Sequence, residues 1–123
     1  MENLTELLSQ LTKQDYCYLT TIGRKSGNPH EIEIWFGIHG NSLFLLSGGG
    51  DQSHWVKNLI ANPNVTVRIA KYIFTGVARI VSDDKEETMA RHMLAGKYQD
   101  WQEGQPLSDW GRDALVVGIE LSL

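Results

Sequence analysis

Two adjacent cations sit in the turn Gly23-Arg24-Lys25-Ser26-Gly27-Asn28-Pro29, between two apolar segments. Arg24 offers a planar fork of donors, Lys25 a point charge and Ser26 a hydroxyl, a set that pairs with phosphate or carboxylate oxygens. A second cluster follows at Ser47-Gly48-Gly49-Gly50 and His54-Trp55-Val56-Lys57-Asn58, ending in Asn62-Pro63. Glycines let a ligand approach backbone N–H groups, and a helix start behind them favours anions. Trp55 and Asn58 share a helix face, where an indole can stack and a carboxamide can hydrogen-bond. Together the clusters describe a site for an anionic ligand that carries a flat ring.

Each piece also has a plainer reading. A basic turn is commonly solvated, three glycines can simply make a turn, and Trp55 can belong to the core. Lys25-Ser26 is no P-loop, because the glycines that motif needs are Arg24 and Leu19 here. His30, His39, His54 and His92 show no paired ligand spacing, so no metal site is expected. Ser47 lies outside any Gly-x-Ser-x-Gly nucleophile elbow. Glu31 and Glu33 share a strand face, either as an acid/base pair or as a solvated edge. Tyr98, Trp101 and Trp110 follow in a polar stretch, where they either line a cleft for a flat substrate or plug a barrel mouth.

The chain has 123 residues, enough for one domain with one core and a small cleft. Its net charge of -4 argues against a nucleic-acid partner, which would need a broad basic surface. Cys17 is the single cysteine, which excludes an internal disulfide and suits a cytoplasmic protein. No apolar run is long enough to span a membrane. The acidic start Met1-Glu2-Asn3 does not resemble a signal peptide.

Leu4, Leu7, Leu8 and Leu11 recur at helical spacing behind an Asn3/Glu6 capping box. Residues 16–22 read as a strand ended by Gly23. Residues 30–38 alternate, with His30, Ile32, Ile34 and Phe36 on one face and Glu31, Glu33 and Trp35 on the other. His39-Gly40-Asn41 turns into a strand at 42–47, and Ser53 caps a helix of two turns. Strands at 65–69, 73–81 and 114–121 and a helix from Asp83 through Leu94 complete the pattern. About six strands and three helices, with hairpin connections, predict an α+β fold: a mainly antiparallel barrel with helices at its rim.

The order strand, Gly-Arg-Lys-Ser-Gly-x-Pro, strand, Ser-Gly-Gly-Gly and Trp-x-x-Asn-Leu-x-Ala-Asn-Pro-x-Val-x-Val resembles the deazaflavin (F420)-dependent nitroreductase and quinone reductase family. These are split β-barrel flavin-binding proteins related to pyridoxamine phosphate oxidase. The resemblance covers roughly residues 16–80 and returns at Tyr98-Gln99-Asp100-Trp101. It implies the cofactor F420 and hydride transfer to an electron-poor small-molecule acceptor such as a quinone, nitroaromatic or enone. By motif position, Arg24, Lys25 and Ser26 would meet the cofactor's anionic part. His30, Glu31, Ile32, Glu33, Ile34 and Trp35 would line the ring edge or its ribityl chain. Leu45, Leu46, Ser47 and Gly48 would run along the ring, and His54, Trp55, Val56, Lys57 and Asn58 would close the phosphate side. Tyr98 and Trp101 would cover the ring's open face toward the substrate, with Tyr98 or Ser47 as a proton donor.

The chain departs from many relatives at His30, where they carry a second arginine, at Glu33-Ile34, where they have Pro-Leu, and at Gly48, where a lysine is frequent. Fewer fixed cations leave room for flavin mononucleotide (FMN) on the same barrel. A non-catalytic storage protein is the other alternative. A homodimer is expected, as split barrels often pair.

Overall fold

A computed structural model describes residues 3–123. Met1 and Glu2, where the acidic start was read, lie outside the described residues. The first helix, α1 (Leu4–Leu11), is capped by Asn3, whose side chain accepts from the Glu6 amide at 2.8 Å. Leu8 and Leu11 are its buried residues.

β1 (Cys17–Ile22) and β2 (Pro29–Ile34) form an antiparallel hairpin in register from Cys17 opposite Ile34 to Ile22 opposite Pro29. The basic turn joins them. Its Gly23 amide donates to the Asn28 carbonyl at 2.8 Å, and Gly27 takes a φ of 74°, a region open to glycine. β3 (Gly37–His39) and β4 (Ser42–Ser47) make a second hairpin. α2 (His54–Ala61), β5 (Asn64–Ile69), β6 (Tyr72–Ile80), α3 (Asp84–Tyr98), α4 (Asp109–Asp113) and β7 (Leu115–Ser122) follow.

All strands join one antiparallel sheet in the order β2-β1-β5-β6-β7-β4-β3. Its two edge strands, β2 and β3, are joined by only Trp35 and Phe36. Two residues cannot bridge the width of a flat seven-stranded sheet, so the sheet curls until its edges meet at this seam. The interior takes Leu19, Phe36, Leu43, Leu45, Val67, Phe74 and Ile119, all with no solvent exposure. Burying each such side chain contributes about 1.5–3 kcal/mol. A second core lies beneath α3, where Phe44, Leu46, Val81, Ala90, Leu94 and Val116 meet. β4 is therefore buried on both faces from Leu43 to Ser47.

The expected α+β split barrel is present, with a seventh strand and a fourth helix added to the expected elements. The single strand expected over 30–38 is two, because Trp35-Phe36 carries the chain from one sheet edge to the other. Alternation continues through the step, with Phe36 in phase with the half-buried Ile32 and Ile34, so the pattern alone does not show a change of partner. α3 runs past Leu94 to Tyr98, and the short α4 rests on a Ser108 cap to the Gly111 amide rather than on any apolar periodicity.

Candidate functional site

The basic turn is fastened from beneath. Asn58 on α2 is 5% exposed, and its carboxamide oxygen accepts both the Arg24 amide at 3.2 Å and the Arg24 guanidinium at 2.8 Å. Its nitrogen donates to the buried Thr21 hydroxyl at 3.3 Å. The other Arg24 terminal nitrogen lies 3.3 Å from His54 Nδ1. One buried side chain thus fixes the position of an exposed cation relative to both β1 and α2. Asn58 was expected to face a ligand beside Trp55; the structure gives it this positioning contact as well.

A cleft of about 550 Å³ opens between the β1–β2 hairpin and α2. Arg24, Lys25, Ser26, His30, Glu31 and Ile32 line it from the hairpin, and His54, Trp55 and Asn58 from the helix. Thr21, which was not singled out in the sequence, and Gly23, read there only as the end of its strand and the start of the turn, also line it. At Gly23 a Cβ would lie 2.7 Å from both the His30 Nε2 and the Ser26 hydroxyl, so these groups converge on a space that only glycine leaves open. Glu31 is the lone carboxylate of the lining, and its Oε1 is 3.8 Å from Arg68, an exposed pair. Cations over a half-apolar hollow suit an anion-bearing flat cofactor, so the donor set fits F420 and its phosphorylated relatives.

The rest of β2 serves a second hollow of about 260 Å³, lined by Tyr16, Glu33, Ile34, Trp35, Leu46 and Trp110. Trp35 stacks on Tyr98 with ring centroids 4.4 Å apart and meets Trp110 edge-on at 5.4 Å. Gly48 borders this group, since a Cβ there would be 3.7 Å from the Trp110 ring. Tyr18 donates to Glu33 at 2.7 Å, which raises the Tyr18 pKa and fixes the carboxylate. Trp110 was grouped with Tyr98 and Trp101 in the sequence, but Tyr16 carried no signal there.

Several expected contacts are not brought to the cleft. Leu45 and Val56 are fully buried in the barrel core. Ser47, 2% exposed, bonds the Gly50 carbonyl and the Ser53 hydroxyl, both at 2.9 Å, and so ties the glycine turn to the start of α2. This engages the Ser53 hydroxyl expected to cap α2, and Ser53 makes no side-chain cap bond. Lys57 lines neither hollow. The glycine turn itself lies outside the main cleft's lining.

Tyr98 was expected over the open ring face as a proton donor. Its hydroxyl instead accepts from the Phe36 amide at 3.0 Å and faces the Asp15 and Phe36 carbonyls at 2.9 and 3.1 Å. Burial pushes its pKa up to about 12. It is a strut across the seam, reaching the second hollow only through its stack on Trp35. Trp101 is further away: it stacks on His92 at 4.2 Å and donates to the Gln105 carbonyl at 2.9 Å. α3 extends to Tyr98 and aims that ring at the seam, whereas Trp101 lies past the helix end, where the turn at Asp100 (φ 56°) carries it toward His92.

Fold and clefts define a split barrel with a cationic hollow against its first hairpin. Residues 1–108 match the family model of F420H(2)-dependent quinone reductase, and the chain belongs to that family of oxidoreductases. The structure is similar to an F420-H2 dependent reductase (FDR-A), with 25% identity, a TM-score of 0.66 and coverage of 86% of this chain and 94% of that one. It is also similar to a FAD-binding protein from Mesorhizobium loti (19% identity, TM-score 0.67, 100% and 91% covered). A heme storage protein from Vibrio cholerae shares the fold at 17% identity and a TM-score of 0.69, with 99% and 92% covered. Among the described residues, no helix is long and apolar enough to cross a membrane.

Proposed function

We propose that this F420-dependent reductase delivers hydride to flat, electron-poor acceptors such as quinones, nitroaromatics or enones. The observation that carries the residue assignment is Arg24, held by the buried Asn58 and standing beside Lys25 at a cleft that Trp55 and β2 wall. Arg24, Lys25 and Ser26 hold the cofactor's anionic part, and His54 adds a neighbouring donor. β2 is an edge strand, paired only with β1, so its free backbone row and Ile32 border the ring. The bound deazaflavin, when reduced, supplies the hydride. The protein orients the partners and keeps one face dry, and orientation of this kind accounts for much of an enzyme's rate. Ser47 and Tyr98 are structural in this reading, so neither serves as the proton donor.

The test is a fluorescence titration of the purified chain with F420 and, separately, with FMN. F420 binds more tightly, and Arg24→Ala weakens it roughly tenfold to a hundredfold at low salt, the loss of a charge-assisted contact. Unchanged affinity in that variant overturns the assignment. Preference for FMN moves the protein to that cofactor. Tight F420 binding with no turnover of menadione or nitroaromatics favours storage.

We further propose a homodimer that covers the outer face of β6, where Ile73 and Val77 are 63% and 53% exposed. Light scattering should give about twice the 13.8 kDa of one chain.

A further inference from the structure

The second hollow has no part in holding the anion, yet it shares β2 with the cleft that does. Ile32 lines the larger cleft and Trp35 the smaller, three residues or ~10 Å of strand apart. We propose that the corner between Trp35 and Trp110 is the acceptor subsite, and that Glu33 at its mouth selects neutral or cationic flat acceptors against anionic ones. This deepens the reductase reading and rests on it for calling the ligand an acceptor.

The two indoles meet edge to face at 88°, so their planes stand at right angles and a flat ring can stack on a face left open in the corner. Trp35 is 37% exposed although it is large and apolar, while Tyr98 holds it from one side in a parallel stack tilted by 2°. A rigid, half-open indole is a stacking platform rather than loose surface. Leu46 and Ile34 add an apolar wall, and Tyr16 is 46% exposed at the rim.

Glu33 supplies the charge. Its carboxylate is exposed and oriented by the Tyr18 hydroxyl at 2.7 Å. The cations near this corner are engaged elsewhere: Arg91 pairs with Glu87 and donates to the Gly111 carbonyl beside Trp110, and Arg112 pairs with Asp109 and Asp113. Arg68 lies over the Tyr18 ring and pairs with Glu31, and Lys97 donates to the Phe36 carbonyl at 3.1 Å against the Phe36 ring. An anionic acceptor entering the corner would meet the Glu33 charge, whereas a cationic ring would gain from it and from the indole faces.

The experiment needs no cofactor, so it fails separately from the F420 reading. The chain is titrated calorimetrically in saturating inorganic phosphate, which occupies the Arg24/Lys25 anion cleft, with three probes of one shape: para-nitrobenzyl alcohol, para-nitrobenzoate and para-nitrobenzyl-trimethylammonium. The neutral and cationic probes should bind, with the anion weaker by about fivefold, as expected for like charges near a protein surface. Glu33→Gln, which keeps the acceptor for Tyr18, should bring the anion within about twofold of the alcohol. Trp110→Leu should weaken all three by about tenfold, the loss of a stacking surface, and Trp101→Leu should change none. If Trp110→Leu does not fold, the Glu33→Gln ordering decides alone. Binding of no probe, equal binding of all three by the wild type, an anion penalty untouched by Glu33→Gln, or loss of binding in Trp101→Leu would each overturn the proposal.

Discussion

The two hollows at either end of β2 are held together by different forces. At the cationic end, exposed Arg24 is positioned by hydrogen bonds from one buried carboxamide, and the surrounding groups are polar. At the aromatic end, Trp35 is positioned by stacking on Tyr98, and Tyr98 is positioned by backbone groups of the seam. Charge that must stay solvated is thus steered by a buried polar bolt, while an apolar surface that must stay open is stiffened from behind. Damage to each end should therefore have a distinct signature.

The largest effect is expected at the bolt. Asn58→Leu leaves Thr21 and the Arg24 amide without a partner and should cost about 2–3 kcal/mol in denaturant unfolding. F420 affinity should fall further than in Arg24→Ala, because the whole turn loses its anchor. Asn58→Asp keeps the oxygen that Arg24 uses and should recover most of that affinity. Equal affinity in the leucine variant and wild type would remove the distinction between the two ends.

Gly23→Ala probes the same end without touching the bolt. The clashing atoms are the ends of the His30 and Ser26 side chains, which can move, so the fold should be retained. Their displacement into the cleft should weaken F420 by about tenfold, as for one lost charged or hydroxyl contact.

At the aromatic end, Tyr98→Phe keeps the stack and removes the hydroxyl that spans the seam. Unfolding free energy should drop by about 1–2 kcal/mol, with F420 affinity unchanged and turnover of acceptors largely preserved. A complete loss of turnover with unchanged stability would restore Tyr98 as a proton donor.

The smallest effect is a pH dependence from the same seam. Burial lowers the Lys97 pKa to about 8 from its ordinary 10.5, so the folded state releases this proton before the unfolded chain does. The unfolded chain then binds more protons above pH 8, and stability rises with pH there. Burial raises the Cys17 thiol to about 12 from 9.0, which acts in the opposite sense above pH 9. The thermal midpoint should therefore climb by about 2–3 °C between pH 7.5 and 9, under ~1 kcal/mol at this chain length. In Lys97→Met that climb should give way to a slight fall, since Cys17 alone remains.

Much of the scaffold was legible because it rests on local rules. Asn3 and Asp83 cap their helices where the sequence placed them, and Gly23 ends its strand. The cationic turn was legible for the same reason, lying wholly within residues 23–29. Trp35 was named in the sequence by motif position but not as part of an aromatic corner, because its partners Tyr98 and Trp110 are 63 and 75 positions away. Ser47 was placed along the ring by motif position alone; its engagement depends on Ser53 folding back across the turn.

By itself, the sequence determined the strands, the helix starts and the cationic turn, since each follows from side-chain period, capping or glycine within a few neighbouring residues. Only the tertiary structure decided that Asn58 fastens Arg24, that Tyr98 points inward and that Trp35 meets Trp110. Those outcomes depend on the sheet curling until β2 and β3 meet across Trp35-Phe36, and the alternation of inward and outward residues is the same on either side of that seam.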